Sequence, residues 1–270
     1  MTVRKLIDMH VHSNNSPDGH NSVECMCECA VKENISIIAI TDHCEVQELY
    51  SVGFNKSIVN SYNDVIRARG KFNDKLMILA GMELGQPTQE LKYSDIALNL
   101  CDFDYILASL HNIKDEKDFY YLDYSSVNIH ELMTKYFDEI LEIVEWNKFD
   151  VLAHLTYPLR YIQGKNRIKV DLSRYSKIID EILLNLIKNE KGLEVNLSGF
   201  KGPLNNSMPN FRIIKRYKDL GGKIITIGTD SHKKEYIGKY IDKGFKIITD
   251  AGFEEISYYI KRKRYSYKII

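Results

Sequence analysis

This chain has no excess of charge of either sign and no long apolar run. Its 270 residues include 37 Lys+Arg and 37 Asp+Glu. No basic field therefore favours nucleic acid, and no acidic excess favours a cationic partner. The amino terminus carries only scattered apolar residues, so the sequence predicts neither a signal-peptide core nor a membrane span. We expect a cytoplasmic protein without a nucleic-acid or membrane partner, and the sequence does not indicate its oligomeric state.

Cysteine is scarce, and its five copies are an odd number. Cys25, Cys27 and Cys29 alternate along a stretch predicted to be helical, a layout unsuited to a disulfide framework. Cys25 and Cys29 could share a helix face and bind a metal ion, but buried thiols more often pack as small hydrophobic groups. We leave all five cysteines out of the functional site.

Strand and helix patterns alternate about seven times along the chain. Strand-like apolar runs lie at 7–10, 37–41, 77–81, 106–110, 151–154, 193–197 and 224–228, with an eighth candidate at 245–249. Helical spacing is clearest at Leu132, Tyr136 and Ile140, and in a second stretch from Ile178 that we expect to stop at Gly192. This alternation predicts an α/β fold with a parallel sheet, either closed as a barrel or open and doubly wound.

The chain carries no repeat, low-complexity tract or shift in composition that would mark an internal boundary. With 44% hydrophobic residues it can bury a substantial core, and we expect one domain over residues 1–270. A basic run at 261–264 follows apolar residues at Phe253, Ile256, Tyr259 and Ile260, which we interpret as an amphipathic helix. Its cationic end would be favoured by the helix dipole, and a phosphate-binding patch is the alternative.

The segments that leave the strands are long, whereas the returns from helix to strand are short. The long segments are 13–21, 112–128, 155–171 and 198–210; short returns are 190–192 and 220–222. Function is therefore expected at the C-terminal ends of the strands.

Six of the eight histidines lie at or just beyond the end of a predicted strand. They are His10, His12, His43, His111, His154 and His232, and Glu83 and Asp230 share that position. Without metal, such a cluster would repel when protonated and lose solvation when neutral. The ligand count exceeds one tetrahedral site, so we infer two or three divalent ions; these ligands suit zinc, iron and manganese alike.

The order of these residues resembles the polymerase and histidinol phosphatase (PHP) superfamily of phosphoesterases. The pattern is His-x-His at 10–12, an acid in the next loop, Asp-His at 42–43, Glu83, His111, His154 and Asp-x-His at 230–232. The resemblance covers nearly the whole chain. It implies a distorted (β/α)7 TIM-like barrel that holds three metals in most members.

The resemblance also implies a ligand set. A first metal would lie among His10, His12, Glu83 and Asp230, and Glu83 would bridge to a second metal completed by His111 and His154. A third would be held by Asp18, His43 and His232. We choose Asp18 over His20 because it follows His12 by six residues, as the family spacing requires. His20 and His130 are assigned no role.

Within this superfamily, three segments resemble stand-alone histidinol phosphatases: 108–113 with 118–121, 152–161, and 194–199. The implied reaction is hydrolysis of L-histidinol phosphate to L-histidinol and phosphate, in histidine biosynthesis. One departure is visible: many members have a hydrophobic residue and Arg where this chain has Phe200 and Lys201. Lysine keeps the charge but loses the bidentate fork.

The charge of a phosphate monoester suggests how such a site would work. Clustered cations can bind the dianion and stabilise the charge that develops during its hydrolysis, with a metal-bridging hydroxide as the expected nucleophile. Arg160, Asp230 and His232 are the expected catalytic residues, and Arg160 would also grip the phosphate. For the alcohol part of the substrate, Glu45 could meet the amine and Tyr120 could cover the imidazole.

Other functions remain open. A related phosphoesterase could act on phosphotyrosine, a nucleotide, a DNA 3′ end or another small phosphate ester. A non-catalytic PHP-like metal-binding module would be expected to show eroded ligands or an attached domain, which this sequence does not. An amidohydrolase would usually have a lysine-type bridging ligand where Glu83 stands. Under the proposed ligand set the first and seventh strands must be neighbours, which favours a closed barrel.

Overall fold

The computed structural model describes residues 5–269. Its strands are β1 (Leu6–Val11), β2 (Ile35–Ile40), β3 (His43–Glu45), β4 (Met77–Gly85), β5 (Tyr105–Ser109), β6 (Val151–Leu152), β7 (Gly192–Asn196), β8 (Ile225–Gly228), β9 (Glu255–Ile260) and β10 (Lys263–Lys268). The main sheet is parallel and runs in the order β1-β2-β4-β5-β6-β7-β8, with the short β3 paired to the far end of β4. All seven predicted strands are present.

The two ends of the sheet meet, so that the barrel is nearly closed. The amide of His12 donates to the carbonyl of Ser231 (3.0 Å), and the amide of Asp230 donates to the carbonyl of His10 (2.8 Å). The first and last strands of the barrel are therefore neighbours, and the predicted TIM-like (β/α)7 barrel is confirmed.

Helices pack around this barrel through apolar faces. They are α1 (Val23–Lys32), α2 (Phe54–Phe72), α3 (Leu91–Leu98), α4 (Ile129–Trp146), α5 (Ser176–Lys188), α6 (Phe211–Asp219) and α7 (Ile241–Asp250). In α4, the predicted face with Tyr136 and Ile140 is fully buried. Most strand residues are buried as well, because helices cover the outside of the sheet while side chains fill its interior. None of the described helices combines the length and apolar character of a membrane span.

Two details near the helices refine the sequence analysis. The cysteine segment is helical as predicted, with Cys27 buried and Cys25 and Cys29 partly buried in α1. Gly192, however, is the first residue of β7, and α5 already ends at Lys188. A Cβ atom on Gly192 would lie 2.7 Å from Val151 Cγ2, so this glycine permits close strand packing and does not stop the helix.

The candidate strand at 245–249 is wrong, because these residues lie in α7. The buried residues of this helix are Ile241, Gly244, Phe245 and Ile248. Their spacing is that of one helix face, and the apolar run at 245–249 is too short to distinguish strand from helix by itself.

The predicted C-terminal amphipathic helix is also wrong. Residues 255–268 form an antiparallel hairpin, β9 and β10, in which Lys263 pairs with Ile260. The two residues between the strands, Lys261 and Arg262, both have left-handed backbone angles (φ 49° and 61°), as in the two-residue turns that match strand twist. Aromatic and β-branched residues favour strand here. The basic run therefore occupies a turn and an exposed strand start.

Candidate metal centre

The residues predicted for the metal site lie together at the C-terminal end of the barrel. His10 and His12 are on one face at the end of β1, His43 is in β3, Glu83 is in β4, His111 and His154 follow β5 and β6, and Asp230 and His232 follow β8. His154 and Asp230 have left-handed backbone angles (φ 23° and 52°), which are uncommon for residues with a side chain. Strain of this kind concentrates at functional sites.

The innermost group consists of His10, His12, Glu83 and Asp230. The two imidazole Nε2 atoms are 2.9 Å apart. Glu83 Oε2 lies 3.3 Å from His10 Nε2 and 3.4 Å from His12 Nε2, and Asp230 Oδ1 lies 3.9 and 3.5 Å from the same two atoms. Ligand atoms around a tetrahedral ion with bonds of about 2.0–2.1 Å are about 3.3 Å apart. The spacing of this group therefore fits one ion.

The outer nitrogens of both rings face acceptors. His10 Nδ1 lies 2.7 Å from Glu194 Oε1. His12 Nδ1 lies 3.1 Å from the hydroxyl of Ser16, and that hydroxyl donates a hydrogen bond to Asp42 Oδ1 (2.6 Å). In their neutral forms both rings then carry the proton on Nδ1, and the two Nε2 lone pairs point at each other. Such a pair repels unless a proton or a metal ion lies between, so the donor set fits a bound metal ion.

Two further groups adjoin the first. His43 Nε2 lies 3.4 Å from His232 Nε2, and Asp18 Oδ2 lies 3.1 Å from the same His232 atom. On the other side, Glu83 Oε1 lies 3.2 Å from His111 Nε2 and 2.8 Å from His154 Nε2. Glu83 thus touches two groups, and its carboxylate is positioned to bridge between them.

Some buried atoms of the cluster are unpaired. Glu83 Oε2, His43 Nδ1 and His154 Nδ1 have no aligned hydrogen-bond partner within the described part of the chain. His43 Nδ1 is 2.9 Å from Glu83 Oε2, but the two groups are not oriented for a hydrogen bond. Orphaned polar atoms are rare in protein interiors and need a partner such as an ion.

The electrostatics differ from donor to donor. Burial lowers the pKa of His10, His43 and His111, but neighbouring carboxylates outweigh it and raise all three above the usual value, so a metal ion would have to displace protons there. Other donors are already in the form that binds metal. Burial, together with the neighbouring His232, His43 and His10, holds the pKa of His12 well below its usual value. Burial raises the pKa of Glu83 and Asp230, but the surrounding imidazoles, and Arg160 beside Asp230, outweigh it and hold both well below the ordinary range. Neutral His12 and ionised carboxylates are the states that metal ions require.

Arg160 borders this cluster. It begins a π-helical turn, Arg160–Lys165, a distortion that is frequent at functional sites. Its guanidinium donates to Asp230 Oδ2 (3.0 Å) and to the hydroxyl of Ser198, and lies 5.2 Å from the centre of the Tyr157 ring. Its Nε atom is buried and unpaired as far as the described residues go. A further cation, Lys201, donates to the carbonyl of Asp230 (2.9 Å), and burial lowers its pKa to about 8.

A cavity of about 770 Å³ opens beside the cluster and includes both residues predicted to contact the alcohol part of a substrate. Tyr120 is 53% exposed and meets the Tyr161 ring edge-on. Glu45 is more constrained, since one oxygen lies 3.0 Å from His111 Nδ1 and the other accepts from Gln86 Nε2 (2.6 Å). It borders the cavity while supporting the cluster.

The two candidate ligands in the first loop, Asp18 and His20, have different surroundings. The Asp18 carboxylate reaches His43 and His232, whereas His20 is exposed and its backbone amide donates to the carbonyl of His232. His130 lies outside the cluster, with Nδ1 2.8 Å from the Tyr175 hydroxyl. The geometry thus brings Asp18, and not His20, to the candidate site.

The sequence analysis assigned no role to residues that support the ligands from behind, above all Glu194 and Asp42. Glu194 did carry a signal: it is a charged residue inside the apolar strand Leu193-Glu194-Val195, although such parallel strands are usually apolar throughout. Asp42 gave a weaker one, since it precedes His43. Its carboxylate accepts four hydrogen bonds from three serines, which lie 19–29 residues away in sequence: the amide and hydroxyl of Ser13 and the hydroxyls of Ser16 and Ser61.

A parallel α/β barrel with a buried histidine and carboxylate cluster at its strand ends defines a class, the metal-dependent barrel hydrolases. A family model described as "PHP domain" matches residues 8–198. A probable histidinol-phosphatase from Thermotoga maritima is 31% identical over 93% of this chain and 95% of its own length. A histidinol-phosphatase from Lactococcus lactis is 28% identical over 94% of each.

A solved structure has the same fold. The crystal structure of the Lactococcus lactis histidinol phosphate phosphatase, complexed with zinc, L-histidinol and phosphate, matches 97% of this chain and 99% of its own with a TM-score of 0.82 and 24% identity. The family model and the Thermotoga relative show that the chain belongs to the PHP family, as its motif order predicted.

Proposed function

We propose that this chain is a metal-dependent phosphomonoesterase that hydrolyses L-histidinol phosphate to L-histidinol and phosphate, a step of histidine biosynthesis. The main support for this proposal is the cluster itself, in which imidazole and carboxylate atoms lie at the spacing of metal ligands beside a cavity. Relatives named as histidinol-phosphatases along nearly the whole chain support the choice of substrate. Residues 1–270 would act as one domain, and the cytoplasmic location stays a prediction.

The proposed ligands would hold two or three divalent ions. The proposed sets are His10, His12, Glu83 and Asp230 for the first ion, Glu83, His111 and His154 for the second, and Asp18, His43 and His232 for the third. The ions can be zinc, iron or manganese by ligand chemistry. Zinc is the first to test because the Lactococcus structure contains it. When bound, the ions would supply Lewis-acid activation of water and neutralise phosphate charge.

Arg160, Asp230 and His232 form the proposed catalytic set. Asp230 and Ser198 fix the guanidinium of Arg160, which borders the cavity and would donate from there to a phosphate oxygen. A charge-assisted bond of this kind would orient the phosphoryl group. His232 faces Asp18 across the entrance, where it would bind the third ion.

The cavity favours a cationic alcohol as the leaving group. Besides the cluster, four carboxylates line it, those of Glu45, Glu48, Glu116 and Asp118, together with four tyrosines including Tyr120. Acidic groups would attract the amine of histidinol, and aromatic rings would cover its imidazole. A nucleotide would bring further negative charge into this acidic cavity.

Substrate choice can be tested by phosphate release. Protein stripped of metal and reconstituted with zinc, manganese or iron should release phosphate from L-histidinol phosphate at least about 100-fold more efficiently than from phosphotyrosine or a mononucleotide, a difference of about 2.7 kcal/mol in the barrier. Turnover of phosphotyrosine with none of histidinol phosphate would overturn the substrate while leaving the metal site intact. No phosphate release from any substrate, with metal bound, would favour a non-catalytic module.

A further inference from the structure

The two nitrogens of His10 have different surroundings. Its Nε2 faces the innermost group, whereas Nδ1 lies 2.7 Å from Glu194 Oε1. Both side chains are fully buried. The carboxylate accepts a hydrogen bond from the Nδ1–H group and thereby leaves the Nε2 lone pair facing the cluster. An imidazole held in this way is fixed in both tautomer and ring orientation.

The second oxygen of Glu194 supports another side of the cluster. Glu194 Oε2 accepts from the backbone amide of His154 (2.8 Å) and from Asn196 Nδ2 (3.1 Å). That amide belongs to the residue with the left-handed backbone angle (φ 23°) after β6. One carboxylate in β7 therefore ties together a ring on β1 and a backbone turn beyond β6.

The chain leaves room for this contact at one glycine. A Cβ atom on Gly228 would lie 2.3 Å from Glu194 Oε1 and 2.4 Å from His10 Cβ. A similar arrangement stands on the opposite wall, where Glu45 lies 3.0 Å from His111 Nδ1 and a Cβ on Gly85 would lie 2.0 Å from Glu45 Oε2. Glu45 borders the cavity, but Glu194 is sealed from it.

We propose that Glu194 is a positioning residue for the metal centre, acting through His10 and His154 and never touching substrate. This inference rests on the proposed ligand set. Its carboxylate has two acceptor faces directed at two donors, a requirement that an amide of the same shape cannot meet. In Glu194→Gln, an amide oxygen turned toward His10 leaves an NH2 group against the amide of His154. Turned the other way, the NH2 group forces the proton of His10 onto Nε2 and blocks the ligand.

The test compares the metal dissociation constants of stripped wild type, Glu194→Gln and Glu181→Gln, measured by competition with a chelator for zinc. Glu181 is exposed on α5, so its amide variant is the matched control. Glu194→Gln should weaken zinc binding by about 10–100-fold, and the control should equal wild type. With saturating zinc, kcat should fall while KM for the phosphate ester stays within about twofold, because Glu194 is shielded from the cavity.

Equal zinc affinities in wild type and Glu194→Gln would overturn the inference alone. No zinc uptake by wild type would overturn the ligand set and the inference with it. If the amide variant does not fold, Glu194→Asp serves in its place: it keeps both acceptor faces but is too short to reach both donors. It should also weaken zinc binding by about tenfold or more, and unchanged affinity would count against Glu194.

Discussion

Buried carboxylates have different interaction partners at the two ends of the barrel. At the N-terminal end, Asp104 and Asp150 stand just before β5 and β6, and each accepts backbone amides and faces an arginine. At the C-terminal end, Glu83 and Asp230 are surrounded by imidazole side chains. Carboxylates that are fully paired contribute to the fold, whereas a cluster with orphaned atoms and opposed lone pairs requires something further, which here fits metal ions.

The paired end also explains the position of the C-terminal hairpin. The amide of Lys261 donates to Asp104 Oδ1 (2.9 Å), and the guanidinium of Arg262 bonds to Asp150 Oδ2. The turn between β9 and β10, with its left-handed backbone angles, directs both groups toward the N-terminal end of the barrel. These contacts lie at the end of the barrel opposite the candidate metal centre, so loss of one should affect stability and not metal binding.

The largest expected effect lies at the cluster. His12→Ala removes a fully buried side chain that is a proposed ligand of the first ion. Loss of outer partners of metal ligands already costs about 10–100-fold, so we expect phosphatase activity to fall by more than about 100-fold. Bound metal should fall by at least one equivalent, as measured by elemental analysis of the dialysed protein.

The matched control is His130→Ala, which changes the same residue type outside the cluster, where His130 contacts Tyr175. It should keep wild-type metal content and activity, and both variants should keep the far-UV circular dichroism of the barrel. Full activity of His12→Ala would contradict the metal model, because no other described residue occupies the place of its Nε2 atom.

How much of this arrangement could be predicted from the sequence depends on how local each signal is. Strand ends with His or Asp are visible in short windows, because an apolar run and the polar residue after it are adjacent in the chain. Position at the end of a parallel strand then implies proximity in space. The strands and the clustering of His10, His12 and His232 could be predicted in this way.

Signals that depend on distant partners could not be predicted. Glu194 and His10 are 184 residues apart, so nothing in either segment shows that they meet. The hairpin at 255–268 failed for a related reason: apolar residues at 256, 259 and 260 fit helical spacing, while the anchors of its turn, Asp104 and Asp150, are far away in sequence. Tertiary contacts favour strand over helix in this segment.

A smaller effect is expected at the paired end. Arg262→Ala leaves the buried Asp150 without its guanidinium, and hydrogen bonds to charged groups contribute about 1.5–3 kcal/mol, less when they are partly exposed. We expect the free energy of unfolding at pH 7 to fall by about 1–2 kcal/mol in urea titrations, with metal content unchanged. Lys263→Ala, an exposed change in the same basic run, should have no measurable effect.

The pH dependence of the stability loss in Arg262→Ala can be predicted from the pKa of Asp150. Burial raises the pKa of Asp150 in the folded protein, in spite of the opposing charge of Arg262. An acid with a raised folded pKa favours the native state at low pH, and that advantage is lost as the pH rises through its pKa. Without Arg262 the pKa should rise further, so the deficit of Arg262→Ala should shrink on acidification. A deficit that grows on acidification would show that the ion pair is not its cause.

The smallest expected effect is the coupling between the two ends. Stripping metal should lower the free energy of unfolding, by about 2.7 kcal/mol where free metal exceeds its dissociation constant a hundredfold. The deficit of Arg262→Ala should be the same, within about 0.5 kcal/mol, with and without metal. Asp150 and His154 are only four residues apart, one before and one after β6, so this is a severe test of independence. Coupling above about 1 kcal/mol would mean that β6 transmits strain between its ends, and the division into a paired end and a metal-binding end would fail.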